Sequence, residues 1–226
     1  MNDLSAIILC GGKGLRLRPL TNDIPKPLIP INDKPILYYI VSHLIKYKIN
    51  KIIIATGYKS KMIEKFMLDN FSFIDYTIVD SGDVNIIARI KDSLKHIDND
   101  FILCYGDTIS NIDLNKLIEF HKKKSDSVTI TSYPISIPFG VMKIDNKNYV
   151  ESFEEKPTLT EVMNIGYYYF PNNKFDLIKK KKSIIDILKH LISKRLLRCY
   201  KHKKIHITVN TISELEYAEK DIKKIL

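Results

Sequence analysis

The stretch Ala6-Ile7-Ile8-Leu9-Cys10-Gly11-Gly12-Lys13-Gly14-Leu15-Arg16-Leu17-Arg18-Pro19-Leu20-Thr21, followed by Pro25-Lys26-Pro27, decides how the rest of the chain reads. Its first four residues form a continuous apolar run, as expected of a strand buried on both faces. Three glycines follow. They let the backbone approach a ligand closely and take positive φ, and successive N–H groups in such a turn form an anion nest. Arg16 adds a bidentate fork and Lys26 a point charge. A glycine-rich loop bearing cations at the carboxyl end of a first parallel strand is where α/β sheets hold ligands. The ligand this implies is a polyphosphate. Two better-known loops do not fit. No Gly-Lys-Ser/Thr closes a P-loop, and Leu17 stands where a dinucleotide fingerprint needs its third glycine. Pro19, Pro25 and Pro27 keep a helix from starting directly after the glycines.

Outward from this loop the same pattern repeats. Ile52–Ala55, Tyr76–Val79, Phe101–Cys104 and Val128–Thr131 are short, apolar and rich in Ile and Val. Helical spacing fills the gaps between them. Ile36, Tyr39, Ile40, His43 and Leu44 form one stripe, with Asp33 as its expected N-cap and Pro35 in the first turn. Ile86, Ile87, Ile90, Leu94 and Ile97 form a second. Leu114, Leu117, Ile118 and His121 form a third, capped by Asp113. Strand and helix alternate over residues 4–133, which means βαβ units. After Pro134 the pattern changes. Gly140–Ile144 and Tyr149–Phe153 flank Asp145-Asn146-Lys147 as a hairpin. A strand at Gly166–Phe170, a helix at Ile184–Ser193, a strand near Ile205–Val209 and a last helix follow. That helix opens with Thr211 and Glu214 at capping-box spacing. The expected fold class is α/β: three layers, a Rossmann-like, mostly parallel sheet, and an antiparallel β insertion. Residues 1–226 read as a single domain, about 1–133 forming one half and about 134–226 the other.

Composition narrows the function classes. The chain has 226 residues, of which 45% are hydrophobic and 27% charged, enough to bury a sizeable core. No apolar run approaches the roughly 20 residues that span a bilayer, and Met1-Asn2-Asp3-Leu4 has no basic leader, so the expected location is cytoplasmic, away from membranes. The net charge of +10 invites a nucleic-acid reading, but only five of the 36 basic residues are arginines. Base readout prefers Arg, and single-strand binding wants interleaved aromatics. The lysine runs therefore read as solvated surface, with no nucleic-acid partner. Cys10, Cys104 and Cys199 lie apart, at no zinc spacing, and read as reduced core thiols. His43, His96, His121 and His190 read as surface or rim imidazoles. Tyr167-Tyr168-Tyr169 reads as core and sheet surface.

The combined stretch around Gly11, Arg16 and Lys26 resembles the signature of the sugar-phosphate nucleotidyltransferases, and further motifs follow in order over nearly the whole chain. Tyr105-Gly106-Asp107 resembles the family's strand-end metal aspartate. Phe139-Gly140-Val141 and Phe153-Glu154-Glu155-Lys156-Pro157 resemble its acceptor-side strands. Asn164-Ile165-Gly166 falls where sugar enzymes carry Asn-Gly-Gly or Thr-Gly, and Val209-Asn210-Thr211 where the family has a second metal aspartate. Val79-Asp80-Ser81-Gly82-Asp83 with Arg89 is similar to the cytidylyltransferase branch. The resemblance implies CTP, with Asp80, Ser81 and Gly82 near the base and Arg89 near the phosphates. It implies that Gly11, Gly12 and Gly14 cradle the β- and γ-phosphates, and that Leu9, Lys13 and Gly106 join them at the nucleotide. It assigns catalysis to Arg16 and Lys26, Mg²⁺ to Asp107 with Asn210 as a weaker ligand, and the acceptor to Glu155, Lys156, Asn164 and Ile165. A homodimer is the assembly it suggests.

Two departures shape the expected reaction. Asn210 replaces an aspartate and offers a neutral carbonyl oxygen, which leaves three readings: Asp107 and the CTP phosphates suffice, another carboxylate such as Asp83 helps, or metal affinity is weak. Ile165 replaces a small residue, which argues against a pocket lined by sugar hydroxyls. The expectation is transfer of CMP from CTP to phosphoglutamine, giving CDP-glutamine and pyrophosphate for phosphoramidate modification of a capsular polysaccharide. A sugar 1-phosphate such as glucose 1-phosphate is the alternative acceptor. A non-catalytic relative is a third reading, supported only by Asn210.

Overall fold

The computed structural model describes residues 4–49 and 51–224. Met1-Asn2-Asp3, read above for the lack of a leader, lie outside the described residues. In chain order the elements are β1 (Ser5–Leu9), α1 (Leu20–Asp23), β2 (Pro30–Ile31), β3 (Lys34–Pro35), α2 (Ile36–Lys46), β4 (Lys51–Thr56), α3 (Ser60–Phe71), β5 (Asp75–Asp80), α4 (Ile86–Ser93), β6 (Phe101–Tyr105), β7 (Thr108–Ser110), α5 (Leu114–Lys122) and β8 (Val128–Ser136). Then come β9 (Val141–Ile144), β10 (Val150–Glu154), β11 (Thr158–Phe170), α6 (Phe175–Lys180), α7 (Ile184–Ser193), β12 (Leu197–Lys201), β13 (His206–Thr208) and α8 (Ile212–Asp221).

Seven strands make the central sheet in the order β12-β8-β11-β6-β1-β4-β5. The expected α/β class and mostly parallel sheet are what the chain adopts. β1 pairs in parallel with both β4 and β6, and β4 with β5. Only β11 runs against its neighbours, β6 and β8. Alternation along each strand fills two apolar layers. Ala6, Ile8, Ile102, Cys104, Tyr167 and Tyr169 face the side covered by α2, α3, α5 and α8. Ile7, Phe101, Leu103, Tyr168 and Phe170 face α4, α6 and α7. The three tyrosines are therefore all core, on both faces of one strand. β9 and β10 form a separate antiparallel hairpin, as their turn sequence predicts. No helix among the described residues is long and apolar enough to cross a membrane.

Several helix starts follow their sequence signals. Asp113 accepts from the Lys116 N–H at 3.1 Å. Thr211 accepts from Glu214 N–H at 3.2 Å, and the Glu214 carboxylate reaches back to the Asn210 N–H at 2.5 Å. Other expectations need correction. Asp33 does not cap α2. The chain spends Lys34–Pro35 pairing with Pro30–Ile31, so Pro35 itself becomes the N-cap. β11 begins at Thr158, not Gly166, and α6 and β12 are additional elements. Cys199 is exposed, unlike buried Cys10 and Cys104. His121 is buried, stacked on Tyr169 with centroids 3.8 Å apart, and its Nδ1 lies 3.2 Å from the Thr129 hydroxyl. The His43 Nε2 is buried as well, without a hydrogen-bond partner.

Candidate active site

The carboxyl ends of β1, β5 and β6 open onto a cleft of about 940 Å³. Its floor is the glycine-rich loop. Gly14 takes φ +62°, a conformation that a side chain would strain. The Thr21 hydroxyl donates to the Gly14 carbonyl at 2.9 Å, and the Tyr58 hydroxyl donates to the Thr21 carbonyl at 2.9 Å. These bonds pin the turn, and its short 3-10 coil at Leu15–Leu17 carries Arg16 to the cleft.

Four residues from three distant parts of the chain meet there. Lys26 Nζ lies 2.6 Å from Asp107 Oδ2 and donates to Asn210 Oδ1 at 2.9 Å. Arg16 Nη2 donates to the same Asn210 oxygen at 2.8 Å. Asp107 arrives on the turn between β6 and β7, and Asn210 on the turn between β13 and α8. Pairing of β13 with β7 holds those two turns side by side, and the Val209 N–H donates to the Asp107 carbonyl at 3.3 Å. Across the cleft mouth, Lys13 and Asp83 form an exposed pair at 2.6 Å. With Asp83 engaged there, the oxygens nearest Lys26 come from Asp107 and Asn210.

Those two side chains suit a hard divalent cation. One is a carboxylate and the other an amide carbonyl, both oxygen donors. Mg²⁺ is commonly held by one or two carboxylates, with substrate phosphates and water completing its shell. Among the described residues no three metal-binding side chains gather, so phosphate oxygens would have to complete it. Cys10 also lines the cleft, but burial pushes its thiol well up, so it stays neutral and is no nucleophile.

The structure brings some predicted site residues together and separates others. Leu9, Gly11, Gly12, Lys13, Gly14, Arg16, Lys26, Arg89, Gly106, Asp107 and Asn210 all line the cleft. Gly106 lies so close to β1 that a Cβ there would sit 2.6 Å from the Leu9 carbonyl. Asp80, Ser81 and Gly82 form the neighbouring loop rather than the wall, Asp80 Oδ1 accepting from Gly82 N–H at 3.0 Å. Arg89 lines the cleft, yet its guanidinium is turned toward backbone carbonyls. Glu155 and Lys156 are exposed at the base of the β9–β10 hairpin and do not line the cleft. Asn164 Nδ2 donates to the Tyr168 hydroxyl, and its Oδ1 accepts from Gly166 N–H at 3.0 Å. Ile165 is 2% exposed and packs in the core with Tyr167 and Tyr169. It projects no side chain toward a ligand. Sequence reading missed the opposite wall, where Asn85–Ile87 and Lys182–Ile185 line the cleft. The only sequence signal for the second segment is Ser183, which caps α7 by accepting from Asp186 N–H at 3.1 Å.

An α/β sheet with a cationic glycine loop facing one aspartate at its carboxyl edge defines an enzyme that handles phosphorylated nucleotides. The chain matches the Nucleotidyl transferase family over residues 5–216 and belongs to it; it is a nucleotidyltransferase. It is 31% identical to a Bacillus subtilis (strain 168) protein described as a probable glucose-1-phosphate cytidylyltransferase, over 94% of this chain and 93% of that one. It is 34% identical to the D-glycero-alpha-D-manno-heptose 1-phosphate guanylyltransferase of Campylobacter jejuni, over 76% and 78%. The fold matches HddC from Yersinia pseudotuberculosis at TM-score 0.70, with 23% identity, covering 96% of this chain and 99% of that one.

Proposed function

We propose that the protein transfers CMP from CTP to a sugar 1-phosphate and releases pyrophosphate. The observation that carries this reading is the meeting of Arg16, Lys26, Asp107 and Asn210 beside the glycine-rich loop. The acceptor class and the base are supported by the cytidylyltransferase relative, which spans nearly the whole chain. Phosphoglutamine keeps no residue argument, because the side chain that argued against a sugar, Ile165, is buried in the core.

In the proposed reaction an acceptor phosphate oxygen attacks the α-phosphorus in line. A new P–O bond forms, the bond to the bridging oxygen before the β-phosphorus breaks, and pyrophosphate leaves with that electron pair. The attacking oxygen is already anionic, so no general base is needed. Positioning and charge neutralisation carry the rate. The N–H groups of Gly11, Gly12 and Gly14 receive the β- and γ-phosphates. Arg16 steadies charge on the leaving pyrophosphate. Lys26 exchanges Asp107 for phosphate oxygens and bridges the α-phosphate to the acceptor phosphate. Asp107 and Asn210 would hold Mg²⁺, which supplies further neutralisation when bound. Glu155 and Lys156 remain candidates for the acceptor only if the exposed hairpin folds toward the cleft.

The test is pyrophosphate release, crossing CTP, UTP, GTP and dTTP with glucose 1-phosphate, heptose 1-phosphate and phosphoglutamine. Turnover of CTP with a sugar 1-phosphate is expected. Turnover with phosphoglutamine alone would overturn the acceptor while keeping the chemistry. GTP in place of CTP would overturn the base.

A further inference from the structure

Arg89 is carried by α4, whose N-cap Asn85 accepts from Ala88 N–H at 2.9 Å. It is 5% exposed. A phosphate-binding arginine turns its fork toward the ligand; this one turns it into backbone. Nη1 donates to the Thr56 carbonyl. Nη2 faces the carbonyls of Gly82 at 2.8 Å, Val84 at 3.1 Å and Gly11 at 3.2 Å. These oxygens belong to three adjacent strand ends: Gly11 beyond β1, Thr56 at the end of β4, and Gly82 and Val84 beyond β5. Two glycines make the seat. A Cβ on Gly11 would overlap the guanidinium, and one on Gly57 would overlap both the guanidinium and the Gly82 carbonyl.

We infer that Arg89 is a positioning residue for the nucleotide, clamping the glycine-rich loop to the Gly82–Asn85 loop and so setting the width of the slot between them. The inference rests on the nucleotidyl transfer proposed above. Only arginine fits the role. Its five N–H donors lie in one rigid plane and reach several carbonyls at once. Lysine offers three donors on one mobile nitrogen and cannot span the same set. Without the clamp, the carbonyls lose a charged donor and the two loops separate. The acceptor phosphate gains nothing from Arg89 directly.

The experiment compares wild type with Arg89→Lys and Gly57→Ala. The second keeps the arginine but inserts a methyl group against both its guanidinium and the Gly82 carbonyl that it bonds, so it disturbs that contact from the other side. CTP and acceptor are varied separately in the pyrophosphate assay, and CTP binding is measured by calorimetry. A misplacement of ~1 Å can cost about 10²-fold, so the expected rise in KM and Kd for CTP is about tenfold or more in both variants, with acceptor KM within about twofold and CTP-over-UTP preference reduced. Lysine should not rescue. Wild-type CTP affinity in Arg89→Lys would overturn the inference, and so would equal losses for CTP and acceptor, or a lower melting temperature with unchanged constants. Should Arg89→Lys fail to fold, Gly57→Ala decides. Wild-type protein that binds CTP but releases no pyrophosphate would sink the proposed reaction alone, with Arg89 still judged by Kd. Wild-type protein that binds no nucleotide would sink both.

Discussion

The proposed reaction asks two things of Lys26. Its ammonium lies between Asp107 and Asn210, where it neutralises a carboxylate. In the proposed transfer the same charge is offered to the α-phosphate. Arg16 or Lys26 replaced by Ala should therefore lower kcat about 10²–10³-fold, as loss of one charge-stabilising group commonly does; pyrophosphate release at saturating substrate measures it. Asn210→Asp should tighten Mg²⁺ binding by adding a second carboxylate beside Asp107. An unchanged calorimetric Mg²⁺ titration would remove position 210 from the metal site. Ile165→Ala makes the opposite kind of prediction. It should cost about 2–5 kcal/mol of stability by leaving a cavity, and should leave acceptor preference alone. Urea unfolding beside the substrate cross checks both halves. The residue type at 165 was legible in the sequence. The direction of its side chain was not, because Gly166 at φ +75° lies against the Tyr105 ring and a register shift in β11 follows Asn164.

At the scale of elements, the legible parts are those with local signals. The apolar runs of β1, β4 and β6 stand out because both faces of the central sheet are covered there, while the edge strand β5 is only half-buried. α7 spans Ile184–Ser193 as its periodicity predicts. Its cap has a further consequence, since Ser183 and Ile184 also form cleft wall. Ser183→Ala should destabilise the protein by about 1 kcal/mol. It should also raise substrate KM if the wall shifts, and chemical denaturation with steady-state kinetics reads the two effects separately. The elements that escaped sequence reading lack such signals. α6 is six residues long and lysine-rich. The first half of β11 is mostly exposed and polar, so it shows no core-facing alternation. β12 packs only part of its length and becomes a strand by pairing in parallel with β8.

On the scale of the whole molecule, packing largely buries His43, which a helix pattern placed at the surface, and His206 on β13. Burial pushes His43 and His206 down to about 4 from an ordinary value near 6.5. Each binds a proton more readily unfolded than folded between those values, so the unfolded state gains protons as pH falls. Stability is therefore expected to be full above about pH 6.5 and to drop as pH falls toward 4. Urea midpoints at pH 7.5, 6 and 5 test this, and a flat series would contradict it. The amino-acid sequence by itself determined the α/β class, the glycine-rich loop and its cations, and several helix caps. Each depends on neighbours within a few residues: periodicity, a turn's φ requirement, or a side chain reaching one turn along. Only the tertiary structure decided that Arg16, Lys26, Asp107 and Asn210 share one hydrogen-bonded cluster, that Arg89 faces carbonyls at three strand ends, and that Ile165 faces the core. These outcomes depend on strand order and on pairings such as β13 with β7, which join positions about 100 residues apart. Local sequence does not encode those contacts, because the free energy that selects them comes from burying two apolar layers at once.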